Sequence, residues 1–163
     1  MARDATARLY DVDDDSVVYK RPKQQGKYDH GTIGFRAKKG KLIDLDKLHE
    51  SIWATRLSGG TRSGLVHLDV TAVGEATING KQTTLNVTGT NRRFVLIENP
   101  DHKSKAGEQT AFERLQEAIS RDDSLVSVTG RLEGWKGRWP GVLSKKPSKP
   151  RRIMVTSFEI IKK

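Results

Sequence analysis

From residue 64 onward the chain alternates. Val66, Leu68, Val70 and Ala72 fall on one side and His67, Asp69 and Thr71 on the other, the two-residue period of a half-buried strand. Asn79-Gly80 follows, a pair that tolerates the positive φ of a type I′ turn, so a tight hairpin is predicted there. Thr83–Thr88 is the return strand, with Leu85 and Val87 inward. Gly89-Thr90-Asn91 then turns the chain into a third strand over Arg93–Glu98, stopped by Pro100. After a polar loop over 99–107 the period changes. Thr110 and Glu113 form a capping box, and Phe112, Leu115 and Ile119 recur at helical spacing until Asp122-Asp123-Ser124. Alternation returns over Leu125–Leu132, with Val126, Val128 and Leu132 inward and Gly130 marking a bulge or bend. A long basic loop, Gly134–Arg151, leads to a last strand over Ile153–Ile161.

The first 60 residues read differently. Residues 1–31 show little periodicity and are expected to be a flexible arm, with Val17, Val18 and Tyr19 as a short strand at its middle. Thr32–Ala37 and Leu42-Ile43 flank Lys-Lys-Gly-Lys, which predicts a small hairpin. Asp44 is placed to cap a helix running to Leu57, with Leu45, Leu48 and Ile52 on one face, Trp53 at its margin, and Ser58-Gly59-Gly60 as the stop. The expected organisation is a basic arm over 1–43, a helix over 44–60 packing on a barrel, and the main β domain over 61–163.

Composition narrows the function classes. At 163 residues the chain suits one domain with an extension, and 34% hydrophobic against 31% charged residues is not a disordered composition. There is no cysteine, which removes disulfides, thiol catalysis and Cys-ligated metals. No apolar run reaches the ~18–20 residues of a membrane span, and the first residues lack the apolar core of a secretory leader. A cytoplasmic protein with no membrane partner is expected.

Charge carries the functional signal. Thirty Lys and Arg against 20 Asp and Glu leave a net +10. Eight basic residues and one acid lie between Lys20 and Lys41, and again eight and one between Arg131 and Arg152. Cations concentrated in this way favour a polyanion, above all nucleic acid. The acids Asp11 and Asp13–Asp15 are read as a solvated tail in preference to a metal site.

Within the second block, Trp135 and Trp139 alternate with Lys136 and Arg138 between glycines, a pattern that offers flat faces to bases and cations to phosphates. Trp135 capping the barrel and Trp139 packing on Pro140 is the structural alternative. Lys145, Lys146, Lys149, Arg151 and Arg152 form a proline-stiffened arm suited to tracking a phosphate backbone. Arg92, Arg93 and Arg131 complete the candidate nucleic-acid-binding set. Tyr28, Phe35 and the Lys20–Lys41 block extend that groove, grip a second partner or pack as an arm. Catalysis has little support. His30, His49, His67 and His102 are scattered, with no zinc-protease, nucleophile-elbow or phosphate-loop motif, and no catalytic residue, metal or cofactor is expected.

Three strands, a helix and two strands is the element order of the OB fold, a mainly β, five-stranded barrel with its helix between the third and fourth strands. A small sandwich would leave that helix without a natural place. The stretch Ser124-Leu-Val-Ser-Val-Thr-Gly-Arg-Leu-Glu-Gly-Trp135, with Arg92-Arg-Phe-Val-Leu96 and the helix before it, resembles OB-fold nucleic-acid-binding proteins. It is similar in particular to bacterial single-stranded DNA-binding proteins, over residues 64–161. The resemblance implies a stacking role for Trp135 and phosphate contacts for Arg131 and Lys136. The expectation is non-catalytic binding of single-stranded DNA or RNA. The alternative is a structural subunit of a ribonucleoprotein or protein assembly, docked through a protein partner on residues 1–60. Oligomeric state is left open.

Overall fold

The computed structural model describes residues 11–20, 31–54, 67–102, 107–120, 125–133 and 150–161, the side chains of 46, 49 and 53 set aside. These residues fall into two units, 11–54 and 67–161. In chain order the elements are β1 (Val12–Lys20), β2 (Thr32–Ala37), α1 (Leu45–Ala54), β3 (Asp69–Asn79), β4 (Gln82–Val87), β5 (Arg93–Glu98), α2 (Ala111–Ile119), β6 (Leu125–Leu132) and β7 (Arg152–Ile161). The protein is mainly β.

In the second unit five strands hydrogen-bond in a closed ring, in the order β3-β4-β5-β7-β6 and back to β3. All pairs are antiparallel except β5 with β7, which run parallel. β3 changes partner half-way along. Asp69–Glu75 pair with β6, and Gly74–Asn79 pair with β4. Gly74 stands at that crossover, where a Cβ would run into the backbone carbonyl of Asn86. The bend therefore depends on a residue without a side chain. Gly130 stands in the same relation to the Met154 carbonyl across β6 and β7. Beside it the register slips, Thr129 facing Ser157 and Gly130 facing Val155. The irregularity expected at Gly130 is present, with Thr156 of β7 as the extra residue.

The alternation read from the sequence becomes an inside and an outside. Leu85, Leu96, Val126, Val128, Leu132, Ile153 and Val155 are almost fully buried, as is Leu115 of α2. Burial of such side chains contributes roughly 1.5–3 kcal/mol each. The capping box of α2 is complete. Glu113 N donates to Thr110 Oγ1 at 3.2 Å, and Thr110 N donates to Glu113 Oε2 at 2.7 Å. Gln116 Nε2 donates to the buried Thr83 Oγ1 at 2.9 Å and so ties the helix to β4. The helix ends at Ile119 with Ser120 as its cap, and the stop expected over 122–124 lies outside the described residues.

The hairpin between β3 and β4 needs a correction of turn type. Asn79 pairs with Gln82, so Gly80 and Lys81 are the two central residues. Only Gly80 has a positive φ, 61°, which is the pattern of a type II′ turn. Asn79 belongs to the strand.

In the first unit the expected flexible arm is corrected over residues 11–20, while residues 1–10 and 21–30 lie outside the described residues. β1 covers nine residues, including Asp13–Asp15, and pairs antiparallel with β2. The partner of Thr32–Ala37 is thus β1, and not Leu42-Ile43 as the sequence predicted. Acidic residues are poor strand formers, but the ladder is loosened where they sit, with a register slip between Asp13 and Val18. Ser16 fills the gap. Its Oγ donates to Asp13 O at 2.6 Å and accepts from Arg36 N at 2.8 Å, while the Arg36 guanidinium lies 3.6 Å from the Asp13 carboxylate. Asp13–Asp15 therefore belong to a strand and not to a tail, with Asp14 and Asp15 exposed on it and Asp11 just before it. The cap expected at Asp44 is found, with Lys47 N donating to its Oδ1 at 3.1 Å, and Leu48 and Ile52 are buried. The continuation of the helix to Leu57 and its glycine stop lie outside the described residues. Among the described residues no helix is long and apolar enough to cross a membrane.

Candidate functional site

Residues that pair across neighbouring strands share a face, so the register of the ring fixes which side chains stand together row by row. In these rows Arg93 and Arg152 are exposed and Arg131 half-buried, whereas Thr84, Val95 and Met154 are buried. Asn86 of β4 faces Arg93 of β5 in one row. Thr84, Val95 and Arg152 form the next across β4, β5 and β7. Ile97, Met154, Arg131 and Asp69 form the third, across β5, β7, β6 and β3. Arg93, Arg152 and Arg131 therefore step diagonally across three adjacent strands, one row at a time. Sequence reasoning chose these residues separately, and the register sets them on one surface.

Their surroundings differ. Arg93 is exposed at the start of β5. Arg131 Nε donates to Asp69 Oδ1 at 2.9 Å, and His67 Nε2 lies 3.7 Å from the other oxygen of that carboxylate. Arg152 Nε lies 3.6 Å from Glu133 Oε2. Both ion pairs are partly exposed, where such contacts contribute little. Two of the three arginines on the diagonal thus already hold a carboxylate, an arrangement that sequence spacing does not reveal.

Arg92 and Arg151 are half-buried and serve the backbone. Arg92 N donates to Thr90 Oγ1 at 3.2 Å and its carbonyl accepts from Val87 N at 2.9 Å, which shapes the turn into β5. The Arg151 carbonyl accepts from Val95 N at 3.0 Å and starts the parallel pairing. Trp135, Lys136, Arg138, Trp139, Lys145, Lys146 and Lys149 lie outside the described residues.

An open depression of about 450 Å³ lies beside the diagonal. Asn79, Lys81 and Gln82 of the β3–β4 hairpin line it together with Val95–Glu98 of β5, Phe112 of α2 and Arg152. The hairpin between the first two ring strands, the end of β5 and the first residue of β7 thus meet at one place. The side chains of Asn79, Lys81, Gln82 and Glu98 make no hydrogen bond or ion pair to another described residue, which leaves two amides, a cation and a carboxylate available to a ligand. Sequence reasoning passed over these four. Their signal was the position of Lys81-Gln82 in the hairpin, read only as a turn.

No family model, no curated protein and no solved structure matches this chain.

What the site can do rests on its own chemistry. The outer surface supplies guanidinium groups for an anion, an apolar wall from Ile97 and Phe112, and amide and carboxylate groups for directed hydrogen bonds. Among the described residues no three His, Asp or Glu side chains converge in a manner that would hold a metal ion.

Proposed function

We propose that this chain is an OB-fold module that binds single-stranded nucleic acid without catalysis. The observation that carries the reading is the depression, where the hairpin joining ring strands one and two meets the third strand and Arg152, the first residue of the fifth. In OB folds the loop between strands one and two, the loop between strands four and five and the face of the second and third strands are the usual ligand surface. The ring order is in keeping with this fold. A three-strand meander is followed by a helix, then a fourth strand beside the first and a fifth between the third and fourth.

Charge and sequence support the choice of ligand. The diagonal of Arg93, Arg152 and Arg131 gives a strand of phosphates successive partners. The connection that ends at Arg152 carries Trp135, Lys136, Arg138, Trp139, Lys145, Lys146 and Lys149, the mixture of stacking faces and cations that unpaired nucleotides need.

The test is titration of the full chain with single-stranded DNA, single-stranded RNA and duplex DNA over a range of salt. Binding to a single strand is expected, weakening with salt by about 0.7 log units per log unit for each phosphate neutralised. Arg93→Ala is expected to weaken binding to every single-stranded sequence and to reduce that slope. No binding to any single strand at low salt overturns the proposal.

A further inference from the structure

Resting on that reading, we propose that the depression over β4 and β5 holds one unstacked base and selects bases whose Watson–Crick edge sets an exocyclic amino group beside a ring-nitrogen acceptor, cytosine and adenine, over thymine and uracil. The pocket has one feature that a plain phosphate groove lacks. Glu98, a carboxylate without a partner among the described residues, stands in the same depression as Lys81 and Arg152. A carboxylate repels phosphate and accepts N–H donors, so its natural partner in a nucleotide is a base edge.

The other lining groups complete such an edge. Asn79 and Gln82 each offer an amide that both donates and accepts. Cytosine and adenine present an amino group next to a ring-nitrogen acceptor. Glu98 accepts from the amino group while an amide of Gln82 or Asn79 donates to the ring nitrogen. Thymine and uracil set a single N–H between two carbonyl oxygens, and those oxygens face the carboxylate unfavourably. Phe112 and Ile97 give the ring an apolar wall, and Lys81 remains for a flanking phosphate, with Arg152 beside it in competition with Glu133.

The experiment measures affinities of the full chain for 12-residue oligo-dC, oligo-dA and oligo-dT at one salt concentration, for the unmodified chain and for Glu98→Gln. Removing a negative charge strengthens binding to any polyanion, so the ratio between sequences is the readout. The expected result is at least roughly fivefold tighter binding of oligo-dC and oligo-dA than of oligo-dT. In Glu98→Gln that ratio falls to within about twofold. Glu98 is exposed, so the variant is expected to keep its unfolding midpoint. Equal binding of all three oligonucleotides, or a preference that persists in Glu98→Gln, overturns base selection by this depression and leaves nucleic-acid binding standing. Absence of binding to all three overturns both.

Discussion

Arg131 and Asp69 stand directly opposite one another on β6 and β3, 62 residues apart in sequence, with Nε donating to Oδ1 at 2.9 Å. The guanidinium that resembles a phosphate contact is thus already held by an anion of the protein. On the proposed reading a phosphate that binds Arg131 competes with Asp69, so the carboxylate is expected to lower affinity while it fixes the orientation of the arginine.

Asp69→Asn is therefore expected to tighten binding to single-stranded oligonucleotides, while Arg131→Ala weakens it. Both side chains are partly exposed, so the cost to stability in Asp69→Asn is expected to stay within about 0.2–1 kcal/mol. Oligonucleotide titration beside urea denaturation separates the two effects. Unchanged affinity in both variants would remove Arg131 from the interface.

Glycine content predicts a contrast between sites. Gly74→Ala and Gly130→Ala each drive a methyl group into a backbone carbonyl of the neighbouring strand, and a loss of about 1–3 kcal/mol or more is expected. A methyl group at Gly34 of β2 would meet nothing within 4 Å, and the φ there is not positive, so Gly34→Ala is expected to be neutral or slightly stabilising. Denaturant midpoints at unchanged m-value check all three.

The capping box offers a local measurement. Thr110→Ala removes the acceptor for Glu113 N and is expected to cost about 0.5–2 kcal/mol. Thermal unfolding followed by circular dichroism reads the loss directly. A variant with unchanged stability would mean that α2 contributes little to holding the ring.

Gln116 and Thr83 form a part-buried link between helix and ring. A double-mutant cycle with Thr83→Val and Gln116→Leu is expected to return a coupling of about 0.5–1.5 kcal/mol, with each single change costing more than the pair. Strict additivity of the two changes would show that the bond adds nothing to packing.

Local chemistry made much of this fold legible. The alternation at Leu68, Val70 and Ala72, the box at Thr110 and Glu113 and the run Arg93–Glu98 are each decided by residues close in sequence. What stayed hidden depends on distant neighbours. The parallel pairing of Val95 with Arg152 and the ion pair of Arg131 with Asp69 leave no periodicity to read. β1 was hidden for another reason. Its acids argue against a strand, and the bond from Ser16 that offsets them forms only against Arg36 of β2. The candidate site divides the same way. Its arginines were visible as charge, whereas the depression formed by Asn79, Lys81, Gln82 and Glu98 exists only after β3, β4 and β5 pair.

The two units face different hazards of association. Every strand of the ring has two partners, so the ring offers no backbone ladder to a passing chain. The ribbon of β1 and β2 has one pairing only among the described residues, and each strand keeps an open side. Exposed charges lie along the ribbon, Asp14 and Asp15 on β1 and Lys38 and Lys39 just beyond β2. A third strand adding to the ribbon would have to desolvate them. The acidic run at residues 13–15 thereby acquires a protective meaning, as a guard against polymerisation through the one part of the described protein that is open to it.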